Sequence, residues 1–120
     1  YAYRNMRFSL VEEGPLTARM NPSLAGSVVA NLVKNAFVHG DEGGEVAVDI
    51  APRRLTVCNS GAEGPLDAGH IFDRFYQGAK KEGSTGLGLA VVDAICRLYG
   101  LKVAYSYINK RHCFTVEFPA

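Results

Sequence analysis

Ser27, Asn31, Asn35 and His39 recur every four residues, a spacing that on a helix stacks all four along one side. Two carboxamides on such a line, in a stretch that is otherwise apolar, cost about 1–3 kcal/mol each if buried without partners, so something satisfies them. On this ground alone a structural hydrogen-bond network, solvent exposure and a bound ligand all stay open. A second piece is Ser84-Thr85-Gly86-Leu87-Gly88-Leu89. Its glycines fall where a loop turns into a helix, which lets backbone N–H groups approach an anion at the positive end of the helix dipole, so a phosphate would be stabilised there. The run is neither G-x-x-x-x-G-K-[ST] nor G-x-G-x-x-G, since no Lys follows the glycines and the spacing differs, and a plain tight turn is the competing reading. Between these two pieces, Cys58-Asn59-Ser60-Gly61 ends a strand and opens a long loop, in which Ile71, Phe72, Phe75 and Tyr76 form a short apolar cluster.

These pieces need a scaffold. Residues 7–11 are a short β-branched and aromatic run that breaks at Gly14-Pro15, a strand and a turn. Asn21 before Pro22 reads as an N-cap followed by proline at the first helical position, and the pattern holds to about Phe37 before His39-Gly40 ends it. Val29, Val33 and Phe37, with Leu32 and Ala36 beside them, form the stripe expected to face a core. Residues 45–50 and 54–58 alternate and are joined through Pro52-Arg53, a hairpin with one buried face. Residues 59–85 show no sustained period, and a loop of that length inside a compact domain is a functional lid or a disordered insert. A second helix runs from Gly86 to Tyr99, with Leu89, Val92, Ile95, Cys96 and Tyr99 on its apolar side and Gly100 as its stop. Residues 101–107 and 113–118 are alternating strands joined through Asn109-Lys110. The order predicts an α/β fold: a two-layer sandwich with a mixed sheet of about five strands and helices on one face, with residues 1–120 as one domain.

Composition narrows the function classes. A 120-residue chain with 48% hydrophobic and 21% charged residues supports one packed core. A net charge of +1, with Lys and Arg dispersed, lacks the footprint that neutralises nucleic-acid phosphates, so no nucleic acid is expected as a partner. The apolar stretches at 28–38 and 87–98 are interrupted by Asn31, Lys34, Asn35, Asp93 and Arg97, well short of about 20 uninterrupted apolar residues. Tyr1 begins without Met or a leader, so the chain reads as an internal piece of a longer protein whose parent could still cross a membrane. Cys58, Cys96 and Cys113, an odd count without C-x-x-C spacing, argue against a disulfide framework and a zinc site and fit a reducing cytosol.

Taken in order, the pieces carry a resemblance. Asn31-Leu32-Val33-Lys34-Asn35-Ala36 with His39 looks like the N box of the histidine-kinase and Hsp90-like ATPase superfamily, and Cys58-Asn59-Ser60-Gly61 resembles its first glycine box. Ile71-Phe72-Asp73-Arg74-Phe75-Tyr76 matches the phenylalanine box of sensor kinases, and 84–89 matches the second glycine box. The chain is thus similar to the ATP-binding catalytic domain of a bacterial sensor histidine kinase, with the Bergerat fold and an ATP lid at about 62–85. The resemblance implies ATP and Mg²⁺ as ligands. Asn35 would give its side-chain oxygen to Mg²⁺, with Asn31 facing the same phosphate and metal region and His39 lying further along the stripe. Asn59 would accept a hydrogen bond from the adenine amino group, while Gly61 lets the backbone pass close to the base. Thr85, Gly86, Leu87, Gly88 and Leu89 would wrap the phosphates, and Arg74 would steady them. Phe72 and Phe75 would anchor the lid and help dock it to the partner, with ordinary core packing as the alternative. The catalytic positions would be Asn31, Asn35 and Arg74.

The same resemblance implies a cytoplasmic domain, in a parent protein that could be anchored in the bacterial inner membrane. It would transfer the γ-phosphoryl group of ATP to a histidine on a dimerisation domain absent from this chain, upstream of a response-regulator receiver domain. Alone, the domain would be a monomer; the full-length protein would be a homodimer. Three departures bear on this. Asn59 replaces the usual Asp, Glu63 stands where a second glycine is expected, and Val38 occupies a place where many relatives carry a Lys, for which Lys34, Lys80 and Lys81 are the candidate substitutes, with a solvated surface charge as the alternative for each. His39, His70 and His112 are followed by Gly40, Ile71 and Cys113, none of them acidic, so none is expected to be the phosphoryl acceptor. A nucleotide-binding or sensing module without kinase activity is the alternative, and a serine kinase acting on an anti-sigma antagonist fits the phenylalanine box less well.

Overall fold

The computed structural model describes residues 6–41, 43–61, 64–66, 69–73 and 87–119. Seven elements follow in the order β1 (Arg7–Glu12), α1 (Pro22–His39), β2 (Glu45–Ala51), β3 (Arg54–Ser60), α2 (Gly88–Tyr99), β4 (Lys102–Ile108) and β5 (Arg111–Glu117). The sheet runs β1-β2-β3-β5-β4, with β1 parallel to β2 and every other pair antiparallel. Both helices lie on one face: α1 packs on β2 and β3, α2 on β4, and the two helices on each other. This is the mixed five-stranded, two-layer architecture of the Bergerat ATP-binding fold.

Local chemistry explains the boundaries. Asn21 Oδ1 accepts from Ser23 N–H at 2.8 Å and from Leu24 N–H at 3.4 Å, and Pro22 follows it, so the orphan amides of the first turn of α1 are partly satisfied at once. α2 stops at Gly100, whose φ of 69° is the left-handed C-cap conformation. Asn109 and Lys110, both at positive φ, make the tight turn between β4 and β5.

Along α1 the buried ridge is Val28, Leu32 and Ala36, joined by Phe37, and it meets Val92, Ile95 and Cys96 of α2 above Val46, Val57, Phe114 and Val116 of the sheet. The expected stripe is corrected at one end, because Val29 is 44% exposed. Each residue turns the helix by about 100°, so the ridge starting at Val28 faces the core and the neighbouring position turns outward.

A second correction concerns the cysteines. Cys58 and Cys113 form a disulfide, against the expectation of none. They are Cα partners in the β3–β5 register, 4.1 Å apart although 55 residues separate them in sequence. Strand pairing creates that proximity, and a count of cysteine spacings has no access to it. Cys96 is the free, buried cysteine; burial, and then the nearby Asp93, push its thiol pKa up. At the end of β1, a hydrogen bond to Asp49 and then repulsion from that carboxylate raise the Glu13 pKa, while Asp49 Oδ1 is buried with no partner among the described residues. Among those residues no helix is long and apolar enough to cross a membrane.

Candidate functional site

The polar stripe of α1 lies where that helix faces the start of α2. Asn31 Nδ2 donates to the Ser27 carbonyl at 2.8 Å and to Ser27 Oγ at 3.1 Å. With its amino group so engaged, the side chain presents Oδ1 on its other side. That oxygen meets α2: a β-carbon built on Gly88 would lie 3.1 Å from Asn31 Oδ1 and 3.8 Å from its Cγ. Glycine at 88 therefore lets the two helices approach at this point. Among the described residues the first turn of α2 has no side-chain cap, and it holds no acidic residue, so the positive end of its dipole lies beside the Asn31 amide. Asn35 and His39 continue the same line one and two turns further, both half-buried. Leu87, Gly88 and Leu89 are half-buried at the head of α2, and Leu89 also packs against the core.

The end of β3 meets the exit of α1. Asp41 N–H, just past α1, donates to the Ser60 carbonyl at 3.2 Å, which ties the exit of α1 to the last residue of β3. Asn59 is 1% exposed and donates from Nδ2 to the Ser60 carbonyl at 3.1 Å, leaving its Oδ1 as the acceptor of the pair. Gly61 is buried, its N–H bonded to the Lys110 carbonyl at 2.9 Å and its carbonyl receiving the Tyr107 hydroxyl at 2.6 Å.

In the long loop Ile71 is 1% exposed and Phe72 sits edge-on to Phe114, centroids 6.1 Å apart at 78°. Core packing thus accounts for Phe72 and fastens this part of the loop to the sheet. His70, by contrast, is exposed and pairs with Asp73 at 2.9 Å. Of the expected site residues, Asn31 and Gly88 are brought into contact, while Asn35, His39, Leu87 and Leu89 continue the two facing helix segments. Asn59 and Gly61 sit at the end of β3, which Ser60 ties to the exit of α1, and Phe72 lies on the core. Arg74, Phe75, Thr85 and Gly86 lie outside the described residues.

Sequence reasoning missed His112 and Tyr107, which touch Gly61, and Tyr105, which is bonded to His112. The last strand, expected from residue 113, begins at Arg111 because the turn is confined to Asn109-Lys110, so His112 is buried within β5. The signal was present: His112 falls in phase with Phe114 and Val116, a polar residue on the apolar beat of an alternating strand.

Residues 20–120 match the family profile described as histidine kinase-, DNA gyrase B- and HSP90-like ATPase. The chain belongs to this ATPase family. Within it, the chain is 32% identical over 107 residues to the Heme sensor protein HssS of Staphylococcus aureus, a match covering 82% of this chain and 23% of that protein. It therefore spans about a quarter of the length of the curated relative it matches. The catalytic domain of the histidine kinase ThkA superimposes with a TM-score of 0.80 at 25% identity, covering 97% of this chain and 81% of that one. The mycobacterial sensor histidine kinase MprB does so with a TM-score of 0.77 at 22% identity, covering 97% and 85%. Within the ATPase family the chain is a GHKL-type catalytic domain homologous to those of bacterial sensor histidine kinases.

Proposed function

We propose that this domain binds Mg·ATP and, as the catalytic part of a two-component sensor histidine kinase, transfers the γ-phosphoryl group to a histidine on a separate dimerisation domain. One observation carries the reading: the Asn31 amide oxygen abuts Gly88 at the head of α2, so the polar side of one helix faces the amide-rich start of another. Such a junction suits a polyphosphate, with oxygen donors on one wall and the positive end of a dipole on the other. The donor set also suits Mg²⁺, a hard cation that takes a few protein oxygens and shares its shell with phosphates and water.

In this reading Asn35 holds the metal and Asn31 faces the phosphates from the preceding turn, with His39 at the far end of the stripe. Leu87, Gly88 and Leu89, with Thr85 and Gly86 before them, wrap the phosphates, and Arg74 neutralises charge as it is transferred. Asn59 receives the adenine amino group beside Gly61, and Phe72 and Phe75 fasten the lid of residues 62–85. The work of the domain is positioning and charge neutralisation, holding the triphosphate in line with the attacking imidazole. The histidine kinase ThkA, solved in complex with the response regulator protein TrrA, supports a receiver domain as the downstream partner. QseC, solved as a cytoplasmic segment, supports a cytoplasmic setting for the domain.

The test is calorimetry with Mg·ATP on the chain and on Asn35→Ala, joined to transfer of labelled phosphate to a supplied acceptor domain. The expected result is binding that weakens about tenfold or more in the variant, with transfer to the acceptor and none to His39, His70 or His112 of the chain alone. Absence of heat with the parent chain overturns the reading. Binding without transfer leaves a nucleotide-sensing module, the alternative favoured by the neutral Asn59 in place of a charged acceptor.

A further inference from the structure

Asn59 and His112 are the buried polar residues of the described chain, at 1% and 7% exposure, and they are Cα partners across β3 and β5. An imidazole on the apolar beat of a core strand is tolerated only with hydrogen-bond partners, and His112 has one: its Nδ1 lies 2.7 Å from the Tyr105 hydroxyl. That hydroxyl also receives the Leu66 N–H at 2.9 Å. The Cδ2–Nε2 edge is the edge turned to Gly61: a β-carbon at position 61 would collide with both atoms. The ring is backed by Tyr105 at 5.9 Å and 23° and by Tyr107 at 4.9 Å and 48°. Tyr107 in turn donates to the Gly61 carbonyl. One histidine therefore braces Gly61 directly and holds Leu66, near the start of the long loop, through Tyr105.

We propose that His112 is a positioning residue for the base end of the nucleotide site, setting where Gly61 and the entry to the lid stand relative to the purine. The proposal rests on the nucleotide reading above. It follows from the placement of the ring: His112 touches the segment expected to meet the base, while the segments expected to meet the phosphates, around Asn31 and Gly88, sit on the helices. Loss of the imidazole should then weaken recognition of the base and spare recognition of the phosphates, whereas a histidine that merely fills the core would affect both alike.

The experiment is calorimetry of the chain and of His112→Leu, His112→Asn and Tyr105→Phe, each titrated with Mg·ATP and with Mg·tripolyphosphate, together with amide exchange at Leu66. His112→Leu is expected to lose about tenfold in affinity for Mg·ATP and to hold its affinity for Mg·tripolyphosphate within about twofold. His112→Asn, whose amide falls near the Nδ1 position, should recover most of the loss. Tyr105→Phe keeps the ring and removes only the hydroxyl, so it should fold, exchange the Leu66 amide faster and weaken Mg·ATP in the same base-selective way. Equal losses for both ligands, no loss for Mg·ATP, or unchanged Leu66 exchange in Tyr105→Phe would overturn the assignment. Should the parent chain itself ignore Mg·ATP, the nucleotide reading fails before any variant is compared, which keeps the two failures apart.

Discussion

Replacing Gly88 with alanine tests the helix junction with a single methyl group. The added carbon would sit 3.1 Å from Asn31 Oδ1, closer than ordinary contact, so the amide must yield by a few tenths of an ångström. Asn31 is not free to swing, because Nδ2 is held to Ser27 at 2.8 and 3.1 Å. Disturbing that pair costs about 1 kcal/mol, and the gain from alanine over glycine at a helix start is at most of similar size. The two nearly cancel, so the melting temperature without ligand should hardly move. The ligand response should change instead. At a Mg·ATP concentration of about 100 times Kd, binding stabilises the parent by about 2.7 kcal/mol; a tenfold weaker variant retains about 1.4 kcal/mol. For a domain of this size the difference reads as about 5 °C in the nucleotide-induced melting shift. Thermal melting with and without Mg·ATP measures it directly. A Gly88→Ala chain with the parent's full shift would refute the argument, since a displaced Asn31 would then be irrelevant to the ligand.

Two predictions concern the scaffold. Leu32→Ala empties a fully buried position between the helices and the sheet, and urea unfolding should show a loss of about 3 kcal/mol with the m-value unchanged. Glu13→Gln should raise the melting temperature at neutral pH. The Glu13 pKa is raised, so the stability its protonated form supplies is present at acid pH and lost as pH rises through the folded-state pKa; neutral solution holds the repelling form. The gap between variant and parent should narrow as pH falls through that raised pKa and be closed below the ordinary carboxylate value of about 4.5, which a melting series across pH would follow.

Much of the scaffold was legible because its signals are local. Asn21-Pro22 announces α1, Gly100 ends α2, and alternation marks both hairpins, each a property of a few neighbouring residues. The junction of Asn31 with Gly88 was only half legible: each piece stands out by type, but their contact depends on how two helices pack. Register was not legible at all. Nothing in the spacing of Cys58 and Cys113 says that pairing sets them opposite one another, and the same pairing puts His112 opposite Asn59. Val29 shows the converse limit: the 3.6-residue period reveals that α1 has an apolar side without fixing to within one residue where its centre lies.

The contact between Gly61 and the His112 ring has an evolutionary corollary. Any side chain at 61 would strike the imidazole while it stays where it is, and a smaller residue at 112 would open a hollow under the glycine. Single changes at either site pass through a collision or a void, so the two positions are free to drift only as a couple. Among descendants of this sequence, a residue other than glycine at 61 should travel with something more compact than histidine at 112.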